Sequence, residues 1–348
     1  MTAGQNIAIL GAGGFVGSHL VDTLIAQGRH EIVGLDLDNE KLKGIEGPNF
    51  RFVRADAADE SDTLEQIIKD SDVVVDLIAH ANPSIYVKAP LDVFELNFLA
   101  NLRIVDLCVK HGKRLIQYST SEVYGHPDGQ PLYAEDESNL VMGPVSEQRW
   151  IYASSKQLLE RVLHAHGLRG DLDYTIARPF NFIGPRLDYL VAPGSMGGPR
   201  VLAHFLSALL GGGPMYLVNG GHAHRSFTHI LDANSAFVAM LENSGAHNEI
   251  FNIGNPAINI SIRDFAVLLQ DLYEELTGIR VDSELIEIGG EDFYGEGYAD
   301  TDRVPPDVTK LRSLGWEPQR DLRTALVDTM EYYLDPANGA IPSSTVSV

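Results

Sequence analysis

The first 120 residues alternate short runs of β-branched residues with segments of helical pattern, and this alternation limits the possible folds more than any other feature. The strand-like runs are NIAIL, HEIVGLD, RFVRAD, VVVDLIA and RLIQYS, and the helical segments between them are 15–27, 39–44, 61–70 and 89–111. Parallel strands need a crossover connection, usually a helix. We therefore predict an α/β fold with a doubly wound parallel sheet and helices on both faces.

A glycine-rich segment, GAGGFVG, joins the first strand-like run to the first helix. Because Gly11, Gly14 and Gly17 lack side chains, backbone N–H groups at the helix N-terminus can approach a pyrophosphate. Asp36 ends the second strand, where its carboxylate can hydrogen-bond a ribose 2′-hydroxyl and repel a 2′-phosphate. The pattern predicts a Rossmann-like domain that binds NAD rather than NADP.

Further cofactor contacts are expected at the same edge of the sheet. Asp56 is placed to cap the adenine edge, with a solvated loop position as the alternative. Five more predicted cofactor residues follow the first, third and fourth strands and are Phe15, Val16, Ala57, Ile78 and Ala79. Tyr152 and Lys156 are also expected to contact the cofactor.

Tyr152 and Lys156 lie four residues apart in RWIYASSKQLLERV, a helical pattern that puts both side chains on one face. A phenol with a reference pKa near ~10 is a poor base at neutral pH, but a neighbouring ammonium stabilises the phenolate. The segment STSE places Thr120, Ser121 and Glu122 beyond a strand's carboxyl end, where open α/β sheets bind ligands. We expect Tyr152 to take a proton from a sugar hydroxyl, with Thr120 sharing it.

Each of these features alone is usually structural. A Tyr/Lys pair on a helix commonly belongs to surface packing, and STSE can be a helix cap. Their order after a glycine-rich strand-to-helix turn favours catalysis.

A change in amino-acid composition near residue 182 suggests where the chain is divided into two parts. The segment GPRLDYLVAPGSMGGPR at 184–200 is rich in Gly and Pro and predicts a loop region that shapes a ligand pocket. We expect an NAD-binding domain at 1–181, which includes the Tyr/Lys helix, and a smaller, mainly substrate-binding portion at 182–335 from which the chain returns to the sheet. The segment 336–348 is small and polar, so we predict a disordered tail.

The bulk composition limits the kinds of partner. The net charge of −22 repels nucleic-acid phosphates and anionic membranes. The single cysteine, Cys108, lies in an apolar pattern and is expected to be a buried thiol. No apolar run approaches the ~20 residues of a membrane span, and the N-terminus lacks a secretory pattern. These features predict a small-molecule pocket, a cytoplasmic setting, and no nucleic-acid or membrane partner.

Two histidines, His222 and His224, have a spacing that could chelate a metal on a strand. Neither a carboxylate nor a cysteine cluster accompanies them, so we expect a loop or pocket-rim role and no bound metal.

Taken together, GAGGFVG, STSEVYG, YASSK and RPFNFIGPR resemble the extended short-chain dehydrogenases that modify nucleotide sugars, over roughly residues 5–335. The longer segments SEQRWIYASSKQLLERV, RPFNFIGPRLD, NGGHAHRSFTHILDA, FNIGNP and FYGEGYADTDRVPPD resemble the UDP-glucuronate decarboxylase domain of the bifunctional polymyxin-resistance enzyme and plant UDP-apiose/UDP-xylose synthase. The resemblance implies a transient C4 oxidation with NAD, a 4-keto intermediate, and loss of carbon dioxide from a uronic acid.

The resemblance also implies roles for individual residues. Glu122 and Arg149 would stand near the sugar or its carboxylate, and Asn181 and Arg200 would hold the diphosphate or carboxylate end. Arg225 and Tyr298 would line the nucleotide pocket. A homodimer through the helix at 89–111 and the Tyr152 helix is expected from the family.

Three departures from the family pattern leave the reaction open. An arginine of the decarboxylases corresponds to Val304 here, so either Arg303 moves into the site by a one-residue shift or the decarboxylating group is absent. Tyr216 replaces a lysine, and Ser121 stands where apiose synthases carry cysteine, which makes ring contraction less favoured. A C4 epimerase without carbon loss and an NAD-binding regulatory protein are the alternatives to the decarboxylase.

Overall fold

The computed structural model of the chain describes residues 4–59, 62–192, 194–198, 200–281 and 283–338. The predicted disordered tail at 336–348 lies outside these residues from 339 onward.

The strands within these residues are β1 Asn6–Leu10, β2 Glu31–Asp36, β3 Phe50–Arg54, β4 Val73–Asp76, β5 Arg114–Tyr118, β6 Tyr174–Pro179, β7 Phe182–Ile183, β8 Met215–Val218, β9 His224–Arg225, β10 Thr228–His229, β11 Glu249–Ile253, β12 Ile260–Ser261 and β13 Leu285–Ile288. Seven of them form a parallel central sheet in the order β11-β6-β5-β4-β1-β2-β3. The predicted doubly wound α/β fold is confirmed.

Helices cover both faces of this sheet. They are α1 Phe15–Gln27, α2 Asp62–Asp70, α3 Pro83–Lys88, α4 Pro90–Phe94, α5 Asn101–His111, α6 Trp150–Arg169, α7 Val201–Gly211, α8 Ile230–Glu242, α9 Ile262–Thr277, α10 Gly290–Tyr294, α11 Thr309–Ser313 and α12 Leu322–Leu334. A π-helical segment, Glu95–Ala100, joins α4 to α5. The helix expected at 39–44 is wrong: only a short 3₁₀ turn, Glu40–Leu42, forms there.

Alternate residues of each central strand enter two different cores, because side chains of a strand point to opposite faces. On β1, Ile7 and Ile9 join the larger hydrophobic cluster with α7, α8, α9 and α12. Ala8 and Leu10 join the cluster on the other face, which contains residues of α2, α5 and α6. Burial on both faces explains why these strands are almost continuously apolar.

Beyond β6 the chain forms small two-stranded sheets as well as one more strand of the central sheet. The pairs are β7 with β10, β8 with β13, and β9 with β12. Strand β11, which precedes β12 and β13 in the chain, pairs in parallel with β6 at the edge of the central sheet. The proposed division of the chain at residues 181/182 stays a prediction.

No helix in the described part of the chain is long and apolar enough to cross a membrane.

Candidate active site

A cavity of about 520 Å³ opens at the carboxyl ends of β1, β4, β5 and β6. Because these strands are parallel, the segments that follow them meet at one edge of the sheet. Most of the predicted site residues line this cavity: Gly11, Gly14, Phe15, Val16, Gly17, Ala79, Thr120, Ser121, Glu122, Arg149, Tyr152, Lys156, Asn181, Arg200, Arg225 and Tyr298. The cavity is thus lined by segments that are far apart in the chain, such as those that contain Gly17, Thr120 and Arg225.

The glycine-rich turn forms a cradle that side chains would fill. Gly11 has a φ of 87°, a conformation that favours glycine. A Cβ at Gly17 would lie 2.2 Å from the Gly11 carbonyl oxygen, so only glycine lets α1 approach the end of β1 so closely. No acidic residue stands in the first turn of α1, whose N-terminal N–H groups carry partial positive charge.

Asp36 lies at the end of β2 and ties the cradle together. Its Oδ2 accepts a hydrogen bond of 2.8 Å from the Gly13 N–H, and its Oδ1 accepts one from Leu37. Burial raises the pKa of this carboxyl, while these two backbone donors oppose the rise. The cradle, the helix N-terminus and this carboxylate fit a dinucleotide with a free ribose 2′-hydroxyl.

Four predicted cofactor residues do not line the cavity. Asp36 adjoins it through Gly13, and Asp56 accepts a hydrogen bond from the Ala58 N–H. Ala57, which follows β3, is buried in the hydrophobic cluster that contains residues of α2 and α5, and Ile78, which follows β4, is partly buried against it.

Tyr152 lies on α6 with 6% of its surface exposed. Burial raises the pKa of its phenol to about 12, while hydrogen bonds with the Thr120 and Tyr86 side chains oppose the rise. Thr120 caps the short 3₁₀ helix after β5 and accepts a hydrogen bond from the Glu122 N–H. The phenol and the threonine hydroxyl are thus brought together, as predicted.

Lys156 shares the buried face of α6 with Tyr152, but its ammonium points to other groups. Its Nζ donates to the Tyr118 carbonyl at 3.1 Å and to Asn101 Oδ1 at 3.3 Å. Burial lowers the pKa of this ammonium, and the buried carboxylate of Asp76 opposes that change. In the described residues, the hydrogen bonds of Lys156 therefore fix it to β5 and α5 rather than to the phenol.

Glu122 is held by two arginines. Its Oε2 accepts from Arg149 Nη2 at 3.0 Å and from Arg303 Nη2 at 2.6 Å. The charges of Arg149, Arg303 and Arg225 outweigh burial and lower the pKa of this carboxyl to about 2. Glu122 is therefore ionised at neutral pH and orients guanidinium groups instead of donating a proton.

Arg303, rather than Val304, contacts a residue of the cavity wall. Its guanidinium donates to Glu122 and to the Gly125 carbonyl, but Arg303 itself does not line the cavity. Val304 packs on a hydrophobic cluster that contains Val123 and Tyr133.

The predicted substrate-binding residues form a second wall. Arg200 pairs with Asp188 at 3.0 Å and its guanidinium lies over the Phe15 ring of α1. Asn181 has a φ of 36° and donates to the Ser226 carbonyl. A guanidinium group paired with a carboxylate thus lies beside the N-terminus of α1.

Further along this wall, Arg225 pairs with Asp300 at 2.9 Å. Arg149 lies 5.4 Å above the centre of the Tyr298 ring. This end of the cavity combines aromatic rings with guanidinium groups, which suits a base and its attached phosphates.

Several residues that line the cavity were not among the predicted site residues: Lys41, Tyr86, Asp188, His204 and Asp300. No local spacing identified them, because their segments approach the cleft only in the folded chain.

The described residues hold no group of three or more His, Cys, Asp or Glu side chains arranged for a metal. His224 pairs with Asp302 at 3.3 Å.

A doubly wound sheet with a glycine cradle, and a buried tyrosine, lysine and threonine in the same cleft, define a dinucleotide-dependent enzyme. A family model described as the NAD dependent epimerase/dehydratase family matches residues 7–254. The chain belongs to this family, and its cofactor is NAD.

Individual relatives cover almost the whole chain. UDP-D-apiose/UDP-D-xylose synthase 2 of Arabidopsis thaliana is 38% identical over 369 aligned residues, covering 98% of this chain and 94% of the relative. The crystal structure of PbgP3 from Burkholderia pseudomallei has a TM-score of 0.83 at 36% identity, covering 95% of this chain and 96% of that one. MoeE5, solved with UDP-glucuronic acid and NAD, has a TM-score of 0.74 at 26% identity, covering 94% and 98%.

Proposed function

We propose that this enzyme oxidises the C4 hydroxyl of a UDP-linked uronic acid, UDP-glucuronate or a close analogue, and releases the C6 carboxylate as carbon dioxide. The observation that carries the proposal is the convergence of Arg149 and Arg303 on Glu122, which lines the cleft beside Tyr152. Two guanidinium charges against one carboxylate leave net positive charge for an anionic sugar. The resemblance to UDP-apiose/UDP-xylose synthase and to a protein solved with UDP-glucuronic acid supports this choice.

In the first step, the oxidation at C4, each residue of the site would have a separate role. The O–H bond at C4 breaks and its proton passes to the Tyr152 phenolate, with the Thr120 hydroxyl alongside. The glycine cradle and Asp36 would hold NAD, which would supply the acceptor for the hydride that leaves C4. Ser121 and Glu122 follow Thr120 on the segment after β5 and line the same cavity.

Carbon dioxide loss follows from the position of the ketone. A C4 ketone is β to the C6 carboxylate, so the C5–C6 bond can break with its electron pair moving into an enolate. Protonation at C5 gives a UDP-4-keto-pentose, and return of the hydride gives a UDP-pentose. Arg149, which lines the cleft, would stabilise charge on the carboxylate and then on the enolate, and Arg303 would act only through its ion pair with Glu122.

The far wall would hold the nucleotide. Arginine forks suit diphosphate and carboxylate oxygens. Asn181 and Arg200 would hold the diphosphate next to α1, and Arg225 and Tyr298 would line the nucleotide pocket.

Incubation with UDP-glucuronate carrying an isotope label at C6 tests the reaction. We expect labelled carbon dioxide and a nucleotide product lighter by that loss. Tyr152→Phe should abolish turnover and leave NAD affinity unchanged.

Other outcomes assign another activity. An unchanged product mass with a new chromatographic retention time identifies an epimerase, and a branched pentose identifies ring contraction. NAD binding without turnover of any nucleotide sugar in a panel identifies a regulatory protein and overturns the proposal.

We further propose a homodimer formed through the helices at 90–111 and α6, in a cytoplasmic setting. Apolar side chains are exposed on both helices, namely Leu91, Leu99, Leu158 and Leu168. Light scattering should give a dimer mass, and Leu168→Glu together with Leu91→Glu should shift it to the monomer.

A further inference from the structure

The ring of Tyr86 stacks directly on the ring of Tyr152. The two ring centres lie 4.5 Å apart and the planes meet at only 6°. Both side chains are nearly inaccessible, with 4% and 6% of their surfaces exposed, and both line the cavity. Two parallel phenol side chains thus line the same cavity.

Tyr86 is held rigidly in this position. It lies on α3, which begins at Pro83, and the Asn82 side chain caps that helix by accepting from the Ser84 N–H. Around the stacked pair, Val93 of α4 and Ile151 of α6 complete a small hydrophobic cluster. This packing limits rotation of both phenols about their side-chain bonds.

The Tyr152 oxygen needs donors if it is to carry a negative charge. The Lys156 ammonium directs its hydrogen bonds to Tyr118 and Asn101. The side chains of Thr120 and Tyr86 are the polar neighbours that oppose the rise in the pKa of Tyr152, and the stacking places the Tyr86 ring against that phenol. A hydrogen bond donated to an ionised oxygen favours the ionised form.

We propose that Tyr86 is a positioning residue for Tyr152: its stacked ring orients the catalytic phenol, and its hydroxyl donates a hydrogen bond that stabilises the phenolate. This inference rests on the proposed role of Tyr152 as the base. Burial raises the pKa of Tyr86 well above its ordinary value, so Tyr86 stays protonated and can act as a donor.

Other charged groups face the pair from neighbouring elements, and their effects must be kept constant. Glu122, after β5, opposes ionisation of Tyr152, and Arg200, before α7, favours it. Arg149, next to α6, and Arg200 both oppose the rise in the pKa of Tyr86. Lys156 lies on the same helix as Tyr152. The test variants leave all four in place.

The test compares Tyr86→Phe, which keeps the stacked ring and loses the hydroxyl, with Tyr86→Leu, which loses both. The measurement is kcat/KM against pH for a nucleotide sugar that the wild-type enzyme converts. With Tyr86→Phe we expect the acid limb, on which the rate rises as Tyr152 ionises, to move up by about one pH unit. At neutral pH kcat should fall about tenfold with KM nearly unchanged. Tyr86→Leu should lose more, and Tyr189→Phe, which removes an exposed phenol, should match wild type.

The outcomes separate a positioning role from its rivals. An acid limb unchanged in Tyr86→Phe overturns the proposal, and so does a rise in KM with kcat preserved, which would make Tyr86 a substrate-binding residue. NAD affinity equal to wild type shows that a variant is folded.

A second measurement does not need the proposed reaction. The phenolate absorbance of the NAD-bound protein is titrated with and without Tyr152→Phe, so that the difference reports Tyr152 alone. In the Tyr86→Phe background this difference should titrate at higher pH. An unmoved titration overturns the role of Tyr86, whereas failure of UDP-glucuronate turnover with a moved titration overturns only the proposed substrate.

Discussion

The guanidinium of Arg303 donates to the carboxylate of Glu122 across 2.6 Å, although 181 residues separate them in the chain. Arg149 binds the same carboxylate from the start of α6. All three side chains are largely withdrawn from water, so the ion pairs are strengthened by a low local dielectric. The cluster is therefore both a structural link across the cleft and a source of positive charge for it.

Glu122→Gln should destabilise the protein strongly at neutral pH. Removal of one partner leaves two buried guanidinium groups without their counter-charge, which costs ~3 kcal/mol for a pair of this kind. Urea unfolding at pH 7 measures the loss. The exposed Glu46→Gln should unfold like wild type, and an equal midpoint for the Glu122 variant would contradict the ion pairing.

The advantage of Glu122 over glutamine should also depend on pH. The pKa of this carboxyl falls from its ordinary value of 4.5 to about 2 on folding. The stabilisation is therefore complete above pH 4.5 and is lost as the pH falls toward 2. Unfolding curves of wild type and Glu122→Gln should converge in that range. A difference that stays constant with pH would refute the assignment.

Gly17→Ala should impair NAD binding. A Cβ at this position would meet the Gly11 carbonyl oxygen and Ala12 Cα at 2.2 and 2.7 Å, so the turn and α1 must move apart. We expect at least a tenfold loss of NAD affinity by calorimetric titration, equivalent to about 1.4 kcal/mol. Gly28→Ala at the other end of α1 meets nothing within 4 Å but has a φ of 64°. It should cost about 1 kcal/mol of stability and leave NAD affinity intact.

Asp36→Ala should relax the choice between NAD and NADP. The carboxylate ends β2 and would repel a 2′-phosphate, so its loss should raise the NADP affinity relative to NAD by tenfold or more. Competitive binding of the two cofactors measures this ratio. Asp22→Ala, on the exposed side of α1, serves as the control. An unchanged ratio in Asp36→Ala would show that another group selects the cofactor.

Acid should weaken the contact between α1 and the loop after β7 through His19. Its ring bonds the Pro185 carbonyl, and burial together with Arg186 lowers the pKa of the imidazole from 6.5 to about 4. The unfolded chain therefore binds more protons in this range. The stability that the neutral His19 ring gives the folded protein is fully present above pH 6.5 and is lost as the pH falls through about 4. The free energy of unfolding should fall by up to about 3 kcal/mol over this range.

Thermal unfolding between pH 7 and pH 4 tests the role of His19. The slope of stability against pH should be shallower in His19→Gln than in wild type. Parallel curves for wild type and His19→Gln would disprove the linkage.

Local sequence was sufficient where one strand-to-helix unit contains all the necessary groups. Gly11, Gly14 and Gly17 predicted the cradle, because β1, a tight turn and α1 are adjacent in the chain. Tyr152 and Lys156 were predicted to share a face, because helical periodicity fixes that relation. The periodicity did not predict the hydrogen-bond partners of Lys156, which lie on β5 and α5.

The amino-acid pattern alone was enough to predict the α/β class, the glycine cradle, the carboxylate of Asp36 and a phenol near the threonine after β5. The contact of Arg303, rather than Val304, with Glu122 and the stacking of Tyr86 on Tyr152 became visible only in the folded chain. Backbone periodicity and chirality govern relations within one strand-to-helix unit. Contacts across the cleft depend on how the whole chain packs segments such as 83–88, 149–156 and 300–304 against one sheet edge.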